Sequence, residues 1–138
     1  MGELLLTKHV ACTERIARIR KALPSDPQHV LRDERLEAFI AFNIFLLIQD
    51  CVDLAAHLVA ARGLGVPASQ RDSFDKLARA GLIRTETAIA MGGMAALRNR
   101  LAHAYGSLDP VRMTQEAPGG LLTAETFLRE IAMVVGTT

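Results

Sequence analysis

Leu36-Glu37-Ala38-Phe39-Ile40-Ala41-Phe42-Asn43-Ile44-Phe45-Leu46-Leu47-Ile48-Gln49-Asp50-Cys51-Val52-Asp53-Leu54-Ala55-Ala56-His57-Leu58 is the stretch on which the fold turns. Leu36, Ile40, Ile44, Leu47, Cys51, Leu54 and Leu58 recur at steps of three and four residues, which places them on one side of an α-helix. Phe42, Phe45, Leu46, Val52 and Val59 form a second apolar stripe round the side. A helix apolar on more than one side has to be covered on more than one side. The segment, expected to run as one helix from about Gln28 to Arg62, therefore belongs both at the centre of a bundle and in a subunit contact.

Working outward, Leu5, Val10, Ala11, Ile16, Ala17 and Ile19 predict a first helix over about Leu4 to Ala22, with charges on its wet face. Pro24-Ser25-Asp26-Pro27 ends it, because neither proline can continue the hydrogen-bond ladder. Downstream, Gly63-Leu64-Gly65-Val66-Pro67 closes the long helix, and Ser69-Gln70-Arg71-Asp72 is a capping pattern for a short third one to Ala80. Thr85 is the expected cap of a fourth helix from Glu86 to about Tyr105, with Gly92-Gly93 in its middle. Asp109-Pro110 opens the last element, Pro118-Gly119-Gly120 is expected to interrupt it, and Thr123 to Val135 resumes it.

At 138 residues the expectation is one domain, residues 1–138, with a real core. Five Phe, one Tyr and no Trp in a chain rich in Ala and Leu argue for close-packed helices rather than a β-sandwich. The fold class is therefore all-α, an up-and-down bundle of about five helices. Sixteen basic and fifteen acidic side chains leave a formal charge of +1, which lacks the footprint of a DNA-binding protein. Cys12 and Cys51 lie far apart in sequence without a C-x-x-C pair or a histidine at ligand spacing, so two reduced, buried thiols are expected and no metal site. The longest uncharged run, Ala38 to Gln49, is twelve residues, short of a membrane span. With no basic, apolar leader at its start, the chain is expected to be cytoplasmic, without membrane contact.

The chemistry concentrates in Leu97-Arg98-Asn99-Arg100-Leu101-Ala102-His103-Ala104-Tyr105-Gly106, where a fixed cation, an imidazole and a phenol come together. A guanidinium holds phosphate through its planar fork, and an imidazole moves protons near neutral pH. On an ideal helix Arg98 and Tyr105 fall within ~20° of each other, Asn99 and His103 within ~40°, and Arg98 and His103 about 140° apart. The group is thus no single flat face: Arg98 reaches across, the helix loosens near Gly106, or a second chain completes the site. Taken singly, a helical His, Tyr or Arg is usually a surface or core residue; the weight rests on their joint spacing. If RNA is the substrate, Arg98, Arg100, Arg112 and Arg84 would form a small local basic patch, although scattered surface charge is the commoner reading for Arg112 and Arg84; His9 and His29 are read as ordinary surface or core residues, and His57, among alanines on the long helix, as structural. Asp50 and Asp53 are acids within an apolar pattern, and one of them is a candidate to pair with Arg98 or Arg100, the alternative being simple exposure.

The spacing R-x4-H-x-Y resembles that of HEPN-domain ribonuclease toxins, specifically the HepT-like group that travels with a minimal nucleotidyltransferase antitoxin. The stretch Ile48 to Ala60, Gly65-Val66-Pro67 and Asp72 to Leu77 carry the same resemblance, which spans about residues 36 to 110. It implies a two-fold homodimer whose paired motifs line one cleft, and a type VII toxin–antitoxin pair. It also implies that Tyr105 is the hydroxyl on which the antitoxin places adenylate, adding charge where RNA phosphate would sit.

RNA carries its own nucleophile, the 2′-hydroxyl beside the scissile phosphate. A metal-independent endoribonuclease then needs only a proton carrier and a stabiliser of developing negative charge. His103 fits the first role and Arg98 the second, with Asn99 and Arg100 as substrate-binding residues; neither metal nor cofactor is called for. The competing reading is a non-catalytic helical adaptor or nucleotide-binding partner of the nucleotidyltransferase.

Overall fold

The computed structural model describes residues 2–103 and 108–135, and the elements within them are helical: α1 (Glu3–Ala22), a 3-10 segment (Pro27–Arg32), α2 (Glu34–Ala61), α3 (Gln70–Arg79), α4 (Thr85–His103) and α5 (Pro110–Val135). The all-α expectation holds. Four long helices alternate in direction, as their contacts show. Lys8 and Arg15 of α1 meet Asp50 and Asn43 of α2, Arg98 of α4 meets Gln49, and Thr87 at the other end of α4 meets Glu130 of α5. The short α3 packs on α4 and lends Phe74 to the core, edge-on to Phe127 of α5 with ring centroids 5.3 Å apart.

Helix α2 is the centre. Ile40, Ile44, Leu47, Ile48, Cys51, Leu54, Leu58 and Val59 are buried, each large aliphatic among them stabilising the fold by roughly 1.5–3 kcal/mol relative to exposure. By length and composition α2 would also pass for a membrane-crossing helix, but 56% of that window is buried inside the bundle, as a core helix requires. Its open stripe carries Phe39 and Phe42, which is 60% exposed.

Three boundaries differ from expectation. The long helix does not start near Gln28: Pro27–Arg32 is a 3-10 segment, and Asp33 restarts the chain as a true cap, its carboxylate accepting from the Leu36 N–H at 3.0 Å. The Leu36 N–H lies in the first turn, where the helical ladder offers it no acceptor, and the Asp33 carboxylate supplies one. Thr85, expected as a cap, is the first residue of α4 instead. Helix α5 runs unbroken through Pro118-Gly119-Gly120. Buried Met113, Thr114 and Ala117 before the proline and Leu121, Ala124 and Phe127 after it anchor both halves to one core, so packing overrides the missing backbone donor.

The other terminal signals behave as read. Ser69 accepts from the Asp72 N–H at 3.0 Å while the Asp72 carboxylate accepts from the Ala68 N–H at 2.9 Å. Gly63 and Gly81 leave α2 and α3 at φ +62° and +77°, a left-handed conformation that glycine adopts without strain. Cys12 and Cys51, distant in sequence, are both fully buried and free. They touch across the α1–α2 interface, and the hydrogen bond with Cys12, together with burial, holds the Cys51 thiol well above its ordinary range.

Candidate active site

Arg98, Asn99, Arg100 and His103 occupy the last turns of α4. The apolar residues Leu97 and Leu101 turn this end of the helix onto the core, Leu101 being buried and Leu97 partly so. Asn99, Arg100 and His103 are exposed, and Arg98 is half-buried. Tyr105 and the expected continuation of α4 to it lie outside the described residues.

Arg98 is held on three sides. Its guanidinium carbon lies 4.9 Å from the centroid of the Phe45 ring on α2, a cation–π contact. Its Nε donates to Gln49 Oε1 at 2.8 Å, and one terminal nitrogen donates to Asn99 Oδ1 at 3.2 Å. Alongside runs an open groove of about 340 Å³, lined by Ala38, Ala41, Phe42 and Phe45 of α2 and by Leu101 and Ala102 of α4. Arg98 adjoins the groove through its contact with Phe45, and Ala102, exposed, lines it from α4.

The acids on α2 do not pair with the motif arginines as expected. Asp50 and Asp53 both face Lys8 of α1, at 3.3 and 3.5 Å. Burial disfavours the Lys8 ammonium, but its hydrogen bonds and Coulombic attraction to the two carboxylates outweigh this and raise its pKa. The reason is register: α1 packs on the side of α2 where these acids project and places Lys8 between them. Asp53 nevertheless touches the motif at one remove, accepting from Gln49 Nε2 at 2.9 Å. Phe45, Gln49 and Lys8 are thus the residues that sequence reading passed over. The signal for two of them was present, since Phe45, Gln49 and Asp53 repeat at four-residue steps and a polar pair stands in an otherwise apolar helix.

Arg84 lies at the far end of α4 against Glu130, and Arg112 pairs with Glu116 at 3.0 Å, so both are surface charges away from the motif's own contacts. His9 donates from Nε2 to the Leu128 carbonyl at 3.1 Å, His29 faces Asp33 at 3.9 Å, and His57 is exposed rather than packed. Among the described residues no group of three or more His, Cys, Asp or Glu is arranged to hold a metal ion.

An all-helical bundle presenting an arginine and a histidine five residues apart at the end of one helix is what the HEPN resemblance implies. The chain belongs to the ribonuclease HepT-like family, whose profile matches residues 12–131. It is 29% identical over 109 residues to the mRNA nuclease HepT of Shewanella oneidensis, covering 79% of this chain and 81% of that one. Among solved structures it resembles a tri-AMPylated Shewanella oneidensis HEPN toxin in complex with MNT antitoxin, at TM-score 0.87 and 27% identity, over 96% of this chain and 99% of the other. A toxin–antitoxin structure with AMP-PNP matches at TM-score 0.85 and 27% identity, over 95% and 99% of the two chains. The cytosolic protein YutE from Bacillus subtilis, at 16% identity and TM-score 0.84, with 96% of this chain and 89% of that one covered, shares the fold.

Proposed function

We propose that this protein is a metal-independent endoribonuclease toxin of a toxin–antitoxin pair, acting in the cytoplasm and silenced by a minimal nucleotidyltransferase that adenylylates Tyr105. The observation that carries the reading is that one helix end, beside an open groove, carries both a guanidinium held by Phe45 and Gln49 and an exposed imidazole at His103. The RNA 2′-hydroxyl attacks the adjacent phosphorus, the bond to the 5′-oxygen breaks, and a 2′,3′-cyclic phosphate remains. His103 carries the proton taken from the nucleophile or given to the leaving group. Arg98 stabilises charge on the non-bridging oxygens, assisted by Asn99 and Arg100.

The exposed Phe39 and Phe42 on α2, next to the groove, support a two-fold homodimer in which a second copy covers that stripe and brings a second motif to the cleft. The relatives bound to MNT antitoxin support a nucleotidyltransferase as the physiological partner.

The test is incubation of the purified protein with RNA in EDTA. Wild type gives cyclic-phosphate ends, Arg98→Ala and His103→Ala give none while remaining folded, and Phe42→Arg is monomeric and inactive. Tyr105→Phe cleaves but escapes silencing by the nucleotidyltransferase with ATP. An absence of cyclic-phosphate products from the unmodified wild type would replace this reading with the helical adaptor.

A further inference from the structure

Nothing about Arg98 itself determines where its fork points. A guanidinium on a three-methylene stem samples many orientations in water, and a phosphate clamp gains from having one of them selected in advance. Two neighbours on α2 make the selection, while one terminal nitrogen also donates to Asn99 Oδ1 at 3.2 Å and keeps its second hydrogen free. The Phe45 ring, 4.9 Å from the guanidinium carbon, holds the head group over its face. Gln49 Oε1, 2.8 Å from Nε, occupies that side of the guanidinium.

The amide of Gln49 is itself determined from both ends. A guanidinium only donates, so the atom facing Arg98 must be the amide oxygen; a carboxylate only accepts, so the atom facing Asp53 must be the amide nitrogen. The two requirements agree, with Nε2 to Asp53 Oδ1 at 2.9 Å. Asp53 is held in turn by Lys8, whose Nζ lies 3.5 Å from its other oxygen. Asp50 shares Lys8 at 3.3 Å, whereas the Gln49 amide donates to Asp53, so Asp50 belongs to the same ion cluster without belonging to this chain of contacts.

We propose that Gln49 is a positioning residue for the nuclease reaction. By occupying Nε it directs the edge formed by the two terminal nitrogens of Arg98 toward the RNA phosphate, and Asp53, braced by Lys8, locks the amide in the orientation that makes this possible. The inference rests on the nuclease reading above and adds to it a line Lys8–Asp53–Gln49–Arg98 that ties the phosphate clamp to α1 across the body of α2. Gln49 touches no substrate in this scheme; it acts through the arginine.

The experiment is single-turnover cleavage of a short unmodified RNA by the antitoxin-free protein, with rate read against RNA concentration. Gln49→Met keeps the length of the side chain and loses both hydrogen bonds. Its rate at saturating RNA is expected to fall roughly tenfold or more, with half-saturation changed by less than about threefold, because aim rather than encounter is lost. Asp53→Ala should fall in the same direction by less, and Asp50→Ala should cleave as wild type does. Circular dichroism and a melting curve on each variant separate these effects from unfolding. Wild-type cleavage by Gln49→Met beside an inactive Arg98→Ala overturns the positioning role and leaves the nuclease reading standing; so does an Asp50→Ala defect equal to that of Asp53→Ala, which would mark the cluster as a general α1–α2 brace. Wild-type cleavage by Arg98→Ala removes Arg98 as the phosphate clamp and the positioning role with it, whereas absence of cleavage by the wild type removes the nuclease reading itself.

Discussion

Glu130 of α5 closes the N-terminal end of α4 through Thr87: its Oε2 accepts from the Thr87 hydroxyl at 2.6 Å while Oε1 accepts from the Arg84 N–H at 2.7 Å. The helix that carries the motif is therefore anchored at one end by a carboxylate from another element and presents Arg98 and His103 at the other. A carboxylate at this end also faces the positive pole of the helix.

Removing that anchor should be costly because Thr87 is buried and its hydroxyl loses its acceptor. Glu130→Ala is expected to destabilise the fold by about 2 kcal/mol, and Glu130→Gln by less, since the amide oxygen still accepts one bond. Urea unfolding followed by circular dichroism measures both. Equal stability of Glu130→Ala and wild type would show that the contact is incidental.

The two glycines of α4 separate on structural grounds. A Cβ at Gly92 would stand 3.1 Å from Arg71 Nε and 3.2 Å from its Cγ, whereas one at Gly93 meets nothing within 4 Å. Gly92 admits the α3 side chain; Gly93 is tolerated. Gly93→Ala is expected to stabilise the protein by about 1 kcal/mol, the helix-propensity difference. Gly92→Ala should gain less, because Arg71 has to move. A chemical denaturation series on the two variants checks the order.

Arg20 and Glu125 form a two-pronged pair between α1 and α5, at 2.7 and 3.2 Å. The hydrogen bond from Arg20 is the main influence lowering the pKa of Glu125, against a smaller opposing effect of burial. A carboxylate whose folded pKa lies below its unfolded one contributes stability that is complete above the unfolded value and disappears as pH falls through the folded one. With the two side chains 47% and 35% exposed, the contribution is screened by water and should stay below about 1 kcal/mol. Wild type is therefore expected to exceed Glu125→Gln in stability near neutrality and to match it once pH lies below the carboxylate range. A gap that persists in acid would assign the difference to packing.

Much of this molecule is legible in one dimension because helices are local. The step of three and four residues in Ile40, Ile44, Leu47, Cys51, Leu54 and Leu58 specifies a buried helix face wherever the chain is placed, and Ser69-x-x-Asp72 and Gly81 mark the ends of α3 by contacts within a few residues. The Arg98 to His103 spacing is legible for the same reason. Pro118 misled for the converse one: a local signal for a break was outweighed by contacts of α5 with the other helices.

Composition and periodicity alone decided that the chain is all-helical, that α2 is its core, and that one helix end carries the arginine and histidine. Which way the arginine is aimed, which acids stand near it, and which cysteines meet were settled only by how α1 and α4 cross α2. Helix rotation and crossing register follow from the packing of every buried side chain at once. No window of a dozen residues contains that information, so Lys8 could take Asp50 and Asp53 away from the arginines while Gln49, at the end of an apolar run, came to hold Arg98.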